Sequence, residues 1–215
     1  MIIAISGWKK SGKDHAASIL KDYNFRQVSF AAPLKDMVAK TYDLDRESLD
    51  NQDLKEVPLL HLPVKPSDSF SSMIRDKLLL EFKYEDNTQF YPTRGLDGLY
   101  WTRRAILILE GSVKRSVTSS YWVSQALNSI KNNDLAVITD LRYKSEADQI
   151  RAYGESIGEK VYIIRIDRFD TSPSQDPSER DMDDYGQFDM TISNRGTLEE
   201  FTSKIEQLAS NLINK

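Results

Sequence analysis

The sequence contains no cysteine, which excludes disulfides, thiolate zinc centres and cysteine nucleophiles and fits a reducing compartment. No apolar run approaches the roughly 20 residues needed to span a membrane, and the N-terminus lacks a basic stretch followed by a long apolar one. A cytoplasmic protein without a membrane partner is expected. An excess of positive charge is missing too: the net charge is −4 and the pI about 5.3. That argues against a dedicated nucleic-acid partner, while leaving room for a local basic site. Internal repeats and low-complexity tails are also lacking. What remains is 215 residues, enough for one α/β domain with a modest insertion.

The most informative segment is Gly7-Trp8-Lys9-Lys10-Ser11-Gly12-Lys13-Asp14, directly behind the apolar run Met1 to Ile5. It matches the phosphate-binding pattern G-x-x-x-x-G-K-[ST], with Asp14 in place of the hydroxyl residue. In that pattern backbone N–H groups wrap the phosphates, the lysine reaches the outer ones and the hydroxyl ligates magnesium. The context agrees. Residues 2–5 read as a buried strand, and Ala16, Ile19, Leu20 and Tyr23 recur at helical spacing. The alternative is a glycine-rich strand-to-helix turn with incidental lysines, yet a phosphate at this helix N-terminus accounts for more of the segment.

Beyond the loop, strand and helix patterns alternate. Residues 25–30 read as a strand, and Pro33 opens a helix with Leu34, Met37, Val38 and Tyr42 on one face. From 43 to about 100 the order weakens; Pro58, Pro63, Pro66 and Pro92, with a helix over about 69–82, indicate an irregular insertion. Helices are predicted over about 101–109, stopping at Gly111, and over 121–130. Residues 135–139 read as a buried strand, followed by a helix that Ser145 and Asp148 would cap. Strands at 161–166 and 190–192 follow, then a helix begun by the Thr197/Glu200 capping box and lined by Leu198, Phe201, Ile205, Leu208 and Leu212. The pattern implies a three-layer α/β fold, with a mostly parallel sheet, helices on both faces and ligands at the carboxyl ends of the strands. It reads as one domain over 1–215.

Three groups fall where that rule puts chemistry. Asp140 and Arg142 lie just past the strand 135–139, where a carboxylate can hold magnesium and a guanidinium can grip a phosphoryl group; a turn-fixing ion pair is the alternative. Arg103 and Arg104, with Arg115, Tyr121 and Trp122 beyond them, form the second. Adjacent helical residues point about 100° apart, so only one arginine faces a pocket. Trp122 is either a core aromatic or a surface on which a nucleobase stacks. The third is the polar stretch 168–187, a lid that could deliver Arg165, Arg168 or Arg180 to a γ-phosphate, or a solvated acidic loop around Asp181, Asp183 and Asp184.

These segments, in this order, resemble the deoxynucleoside monophosphate kinases of tailed bacteriophages. Ile5-Ser6-Gly7 through Lys13-Asp14 is similar to that family's S-G-x-x-x-S-G-K-D loop, aspartate included. Phe30 to Asp36, Arg103-Arg104, Tyr121-Trp122-Val123, Thr139 to Arg142 and Ile192 to Glu200 resemble its other segments. Residues 51–100 match nothing, and the family's R-R-L-x-Q-x-x-G-T is replaced here by a stretch without glutamine. The resemblance implies a P-loop kinase fold and transfer of the ATP γ-phosphate to a deoxynucleoside monophosphate, with magnesium, in the host cytoplasm if the protein is of phage origin. It implies a homodimer as well. The donor would be held by Gly7, Lys10, Ser11, Gly12, Lys13, Asp14, His15 and Arg165, with Asn194, Gly196 and Thr197 near the adenine. The acceptor would meet Lys35, Arg103, Arg104, Trp122, Asp140 and Arg142. Lys13, Arg104, Arg142 and Arg168 would act on the transferring group, and Asp14 or Asp140 would lie at the metal. Such catalysis is mostly positioning and charge stabilisation, so scarce histidine is no obstacle. Two rivals share parts of the pattern: phosphomevalonate kinases, which have a similar G-K-D loop, and a nucleotide-binding switch, for which only Asp183-Asp184-Tyr185-Gly186 speaks.

Overall fold

The computed structural model describes residues 1–63, 93–94, 99–168 and 180–214. The chain divides into two compact units, Met1–Phe30 with Val123–Lys215, and Ala31–Trp122.

The first unit is built on five parallel strands, β1 (Ile2–Ser6), β2 (Arg26–Val28), β6 (Ala136–Ile138), β7 (Val161–Asp167) and β8 (Met190–Ser193), in the order β2-β6-β1-β7-β8. β1 is central and buried along its whole length because residues on both of its faces are apolar. Alternation sorts them. Ile2 and Ala4 join Ala136, Ile138 and Ile163 on one face, covered by α4 (Tyr121–Leu127) and α5 (Lys144–Ser156) through Val123, Ala126, Leu127, Ala147 and Ile150. Ile3 and Ile5 join Val137, Ile164 and Ile166 on the other, covered by α1 (Lys13–Asp22) and α6 (Leu198–Ile213) through Ala16, Leu20, Phe201, Ile205 and Leu208. Each isoleucine so enclosed contributes roughly 1.5–3 kcal/mol relative to exposure. This is the expected α/β arrangement.

The topology also locates a crevice. β1 and β6 are neighbours, but the helix that follows β1 packs on one face and the helix that follows β6 on the other. Their connections part at the carboxyl ends of these two strands, which is where open α/β sheets bind ligands.

The second unit contains α2 (Ala32–Tyr42), a 3₁₀ turn (Glu47–Leu49), the antiparallel strands β3 (Pro58–Pro63), β4 (Thr93–Arg94) and β5 (Leu99–Thr102) in the order β3-β5-β4, and α3 (Arg103–Val117). Its core gathers Leu34, Val38, Leu49, Leu59, Ile106 and Trp122. The helix predicted over 69–82 lies outside the described residues, and so do positions 169–179 of the predicted lid.

Three local expectations are corrected. Trp101 and Thr102 are strand rather than helix; the Thr102 hydroxyl accepts from Ala105 N–H at 3.1 Å and starts α3 one residue later. Gly111 does not end that helix. It lies inside it, because a Cβ there would stand 3.2 Å from a Leu34 methyl, so glycine serves close packing. The helix after β6 is not capped by Ser145 and Asp148. Glu146 performs that task, accepting from Arg142 N–H at 2.8 Å and Tyr143 N–H at 3.0 Å.

Candidate active site

Residues 7–12 connect β1 to α1, and the loop is shaped by two glycines with positive φ. Gly12 is the N-cap of α1 at φ 105°, and a Cβ there would lie 2.7 Å from Asn194 Nδ2. At Gly7 a Cβ would meet the Ile166 carbonyl at 2.6 Å and Ser11 Oγ at 2.7 Å. Glycine is therefore required at both positions by backbone conformation and by space.

The loop carbonyls are tied down from outside. Lys13 Nζ donates to the carbonyl of Gly7 and, at 2.8 Å, to that of Trp8. The Trp8 carbonyl also accepts from Ser11 N–H at 3.1 Å. Arg168 donates to the Lys10 carbonyl at 3.3 Å, and Asn194 Nδ2 to the Ser11 carbonyl at 2.8 Å. With four of its carbonyl oxygens engaged, the loop has backbone N–H groups left over for an anion, as such turns do when they cradle phosphate. No side chain among the described residues caps α1, so the helix N-terminus adds its own positive end to the cradle. Ser11 Oγ is buried in the loop without a hydrogen-bond partner. Lys9, Lys10, Lys13 and Arg168 bring positive charge to the loop in a chain of net charge −4, while Arg165 and Arg195 are paired with Asp183 and Asp167. That is the local basic site a small polyanion needs.

Asp140 lies past the end of β6. The register Ala4↔Ile138 puts it level with Ser6, beside the entry to the loop. Its Oδ2 accepts from Ser29 Oγ at 2.7 Å and Phe30 N–H at 2.8 Å, fixing the carboxylate. Asp14 is exposed in the first turn of α1. Among the described residues no three acidic or histidine side chains cluster as a metal cage. A fixed carboxylate and an exposed one nevertheless suit magnesium, which takes few protein oxygens and keeps phosphate and water as its other ligands. Arg142 is exposed two residues beyond Asp140. In the first turn of α5, burial and the nearby Asp140 charge raise the Glu146 carboxyl to about 7, although two backbone N–H bonds favour its ionised form.

Of the remaining expected donor residues, Arg165 lies in β7, His15 in α1, and Gly196 and Thr197 between β8 and α6. Arg165 is bonded to the Asp183 carboxylate and the Met182 carbonyl. His15 Nε2 is 3.0 Å from Thr202 Oγ1. Gly196 and Thr197 begin the turn into α6, where Thr197 and Glu200 form the capping box read from the sequence. The acidic end of the predicted lid is a fastened turn, since Lys144 N–H donates to Asp181 at 2.7 Å and Lys144 Nζ pairs with Asp184 at 2.6 Å. Met182 and Tyr185, which flank these acids, are buried in the core.

In the second unit, Lys35 pairs with Asp50, and Arg104 pairs with Glu56. Arg103 donates to Ser48 Oγ at 2.9 Å and to the Leu54 carbonyl at 3.3 Å. Both arginines stand in the first turn of α3, which contains no acid. Cations there oppose the helix dipole and favour an anion nearby. Trp122 is placed in the core: it is 6% exposed, its indole N–H donates to the Gly111 carbonyl at 3.2 Å, and it meets Tyr121 edge-on. Lys55, unmentioned by sequence reasoning, accompanies this group, its carbonyl accepting from Arg104 N–H at 3.1 Å. Its ammonium is held below the ordinary lysine range by burial and by the Arg104 and Lys35 charges.

No family model matches the chain. A protein of Acanthamoeba polyphaga mimivirus, provisionally named deoxynucleotide monophosphate kinase, is 29% identical over 217 residues, covering 98% of this chain and 97% of its own. The deoxynucleotide monophosphate kinase of Escherichia phage RB69 is 26% identical over 249 residues, covering 96% of this chain and 98% of its own. Its named relatives are kinases. Together they support a phosphotransferase that uses a nucleotide. Among solved structures, the APS kinase of Mycobacterium tuberculosis in complex with AMPPNP and APS aligns over 97% of this chain and 96% of that one, at 10% identity and a TM-score of 0.38. So loose a likeness carries nothing about function. No helix among the described residues is long and apolar enough to cross a membrane.

Proposed function

We propose that this protein transfers the γ-phosphate of ATP to the 5′-phosphate of a deoxynucleoside monophosphate. The observation that carries the reading is the N-terminus of α1, without a side-chain cap, behind a glycine-shaped loop whose Gly7, Trp8, Lys10 and Ser11 carbonyls each accept from a side chain, with Lys13 among the donors. The kinase names of relatives that span nearly the whole chain point the same way.

In this mechanism the loop N–H groups and Lys13 hold the β- and γ-phosphates. Lys13 leaves the Gly7 and Trp8 carbonyls for the phosphate oxygens, a short swing between acceptors already beside it. Asn194, Gly196 and Thr197 border the adenine. Asp140, oriented by Ser29 and Phe30, and Asp14 are the carboxylates that would hold magnesium, which when bound neutralises charge on the phosphates. Arg142 and Arg168 are assigned to the transferring group, and Lys35, Arg103 and Arg104 to the acceptor phosphate, where Asp50, Ser48 and Glu56, their present side-chain partners, give way to a stronger anion. An acceptor phosphate oxygen forms the new P–O bond as the bond to the ADP oxygen breaks. Positioning and charge stabilisation supply most of the acceleration, so no side-chain base is needed. Trp122 is left to the core.

The test is incubation with ATP, magnesium and each of the four deoxynucleoside monophosphates, following the diphosphate. Turnover of at least one is expected. Turnover of none of them, with phosphomevalonate accepted instead, would overturn the reading.

A further inference from the structure

One residue of the loop is held in a way the donor cradle does not explain. The Trp8 indole N–H donates to Asp183 Oδ1 at 2.9 Å, and Arg165 donates to the same oxygen at 2.7 Å. The Arg165 guanidinium carbon stands 5.6 Å from the Trp8 ring centroid and 5.7 Å from that of Phe188. Cation, carboxylate and two aromatic rings therefore form one cluster.

The two ends of this cluster are differently anchored. Arg165 is a β7 residue in register with Ser6, the last residue of β1. Asp183 lies between Met182, 2% exposed, and Asp184, with Tyr185, 7% exposed, next beyond. Both anchors are therefore set by the core. Trp8, in contrast, is a loop residue. Its carbonyl accepts from Ser11 N–H at 3.1 Å within the loop, so a displacement of Trp8 moves the backbone of the cradle itself. An indole fixed on one side and a carbonyl used on the other make Trp8 the hinge through which Asp183 reaches the cradle.

We infer that Asp183 is a positioning residue of the donor phosphate loop, acting through the Trp8 indole and keeping Arg165 against the ring. The inference rests on the reading of Gly7–Asp14 as the ATP site. An exposed ion pair with no such role contributes about 0–1 kcal/mol to stability and nothing to ligand choice. A residue that orients the cradle affects the donor alone, because small misplacements of a phosphate-holding group are costly.

The test uses Trp8→Phe, Asp183→Ala, their combination and the near-isosteric Asp183→Asn, with two measurements. The first is Trp8 emission, obtained as the difference between a protein and its Trp8→Phe counterpart. It shifts to the red in Asp183→Ala because the indole loses its partner. The second is the ATP dissociation constant by calorimetry together with both KM values. Trp8→Phe and Asp183→Ala each weaken ATP about tenfold, in keeping with a lost hydrogen bond to a charged group. The double variant is no worse than Asp183→Ala, the KM for the monophosphate is unchanged, and Asp183→Asn lies between. ATP affinity equal to wild type in a folded Asp183→Ala or Asp183→Asn, additive losses, or an unmoved emission would overturn the inference alone. A wild-type protein that binds no ATP would remove the donor site itself, and the inference with it.

Discussion

Two neighbouring strands, β1 and β6, run side by side in the sheet, and each leads into a helix, yet the junctions are finished in opposite ways. At α1 the N-cap is a left-handed glycine that gives the first turn no side-chain cap hydrogen bond. At α5 the chain provides its own anions: Glu146 accepts from the N–H groups of Arg142 and Tyr143, and Asp181 accepts from that of Lys144. A helix N-terminus calls for negative charge. One junction satisfies that need internally, while the other is arranged for a ligand to satisfy it. Of two helix starts at one crevice, the one after β1 is the one we propose for the phosphates, with Asp140 and Arg142 just past β6 beside it.

The harshest way to break this contrast is Lys13→Ala. It removes the cation that accompanies the γ-phosphate, and kcat/KM is expected to fall by two to three orders of magnitude, roughly 3–4 kcal/mol of transition-state stabilisation. Steady-state kinetics on a variant with unchanged circular dichroism reads this directly. A rate within a few-fold of wild type would remove Lys13 from the mechanism.

Asp140→Asn comes next, acting on the contribution of the closed junction. The amide keeps an oxygen for Ser29 and Phe30 but loses the charge, so activity should drop about 10–100-fold, the usual cost when an oriented group near a metal is altered. Raising magnesium should recover part of the loss. If it recovers none, Asp140 is structural.

Much of this contrast was legible in the sequence. The run Ile2 to Ile5, the glycine turn from Gly7 to Gly12 and the Thr197/Glu200 box each occupy a few consecutive residues, and the structure has a buried strand, a strand-to-helix turn and a capping box there. What was not legible depended on distance along the chain. Trp8 and Asp183 are 175 residues apart, and Asp181 caps a helix that begins 37 residues before it. Local periodicity carries no signal for either, so the acids of 181–184 read as a solvated lid. Gly111 misled for a related reason: a glycine late in a helical pattern looks like a stop, and only the Leu34 methyl packed against it reveals a packing role. Trp122 posed a choice between core and surface that periodicity leaves open and burial answers.

Gly12→Ala sharpens the open junction alone. The left-handed conformation costs an alanine about 1–2 kcal/mol, and its methyl would press on Asn194 Nδ2, 2.7 Å away. The melting temperature should fall by several degrees, at about 2–4 °C per kcal/mol in a chain of this size. ATP affinity should fall with it, while the same change at the exposed Gly158, where a Cβ meets nothing within 4 Å, leaves ATP binding intact.

The smallest effect should come from Glu146→Gln, which probes the closed junction through pH. The Glu146 carboxyl is raised from 4.5 to about 7 in the folded protein, chiefly by burial and further by Asp140. A raised pKa means that the folded chain binds the proton more tightly than the unfolded one. The stability this residue contributes is therefore complete below about 4.5 and is lost as pH rises through about 7. Glutamine keeps an acceptor for the N–H groups of Arg142 and Tyr143 without a charge to bury. Wild type and variant should melt together at pH 4.5, and the variant should melt higher by about 2–4 °C at pH 8, the equivalent of roughly one kcal/mol. A gap that stays constant across that window would mean that the helix is capped by an ionised carboxylate throughout, and that the internal anion of α5 is as permanent as the phosphate proposed for α1 is exchangeable.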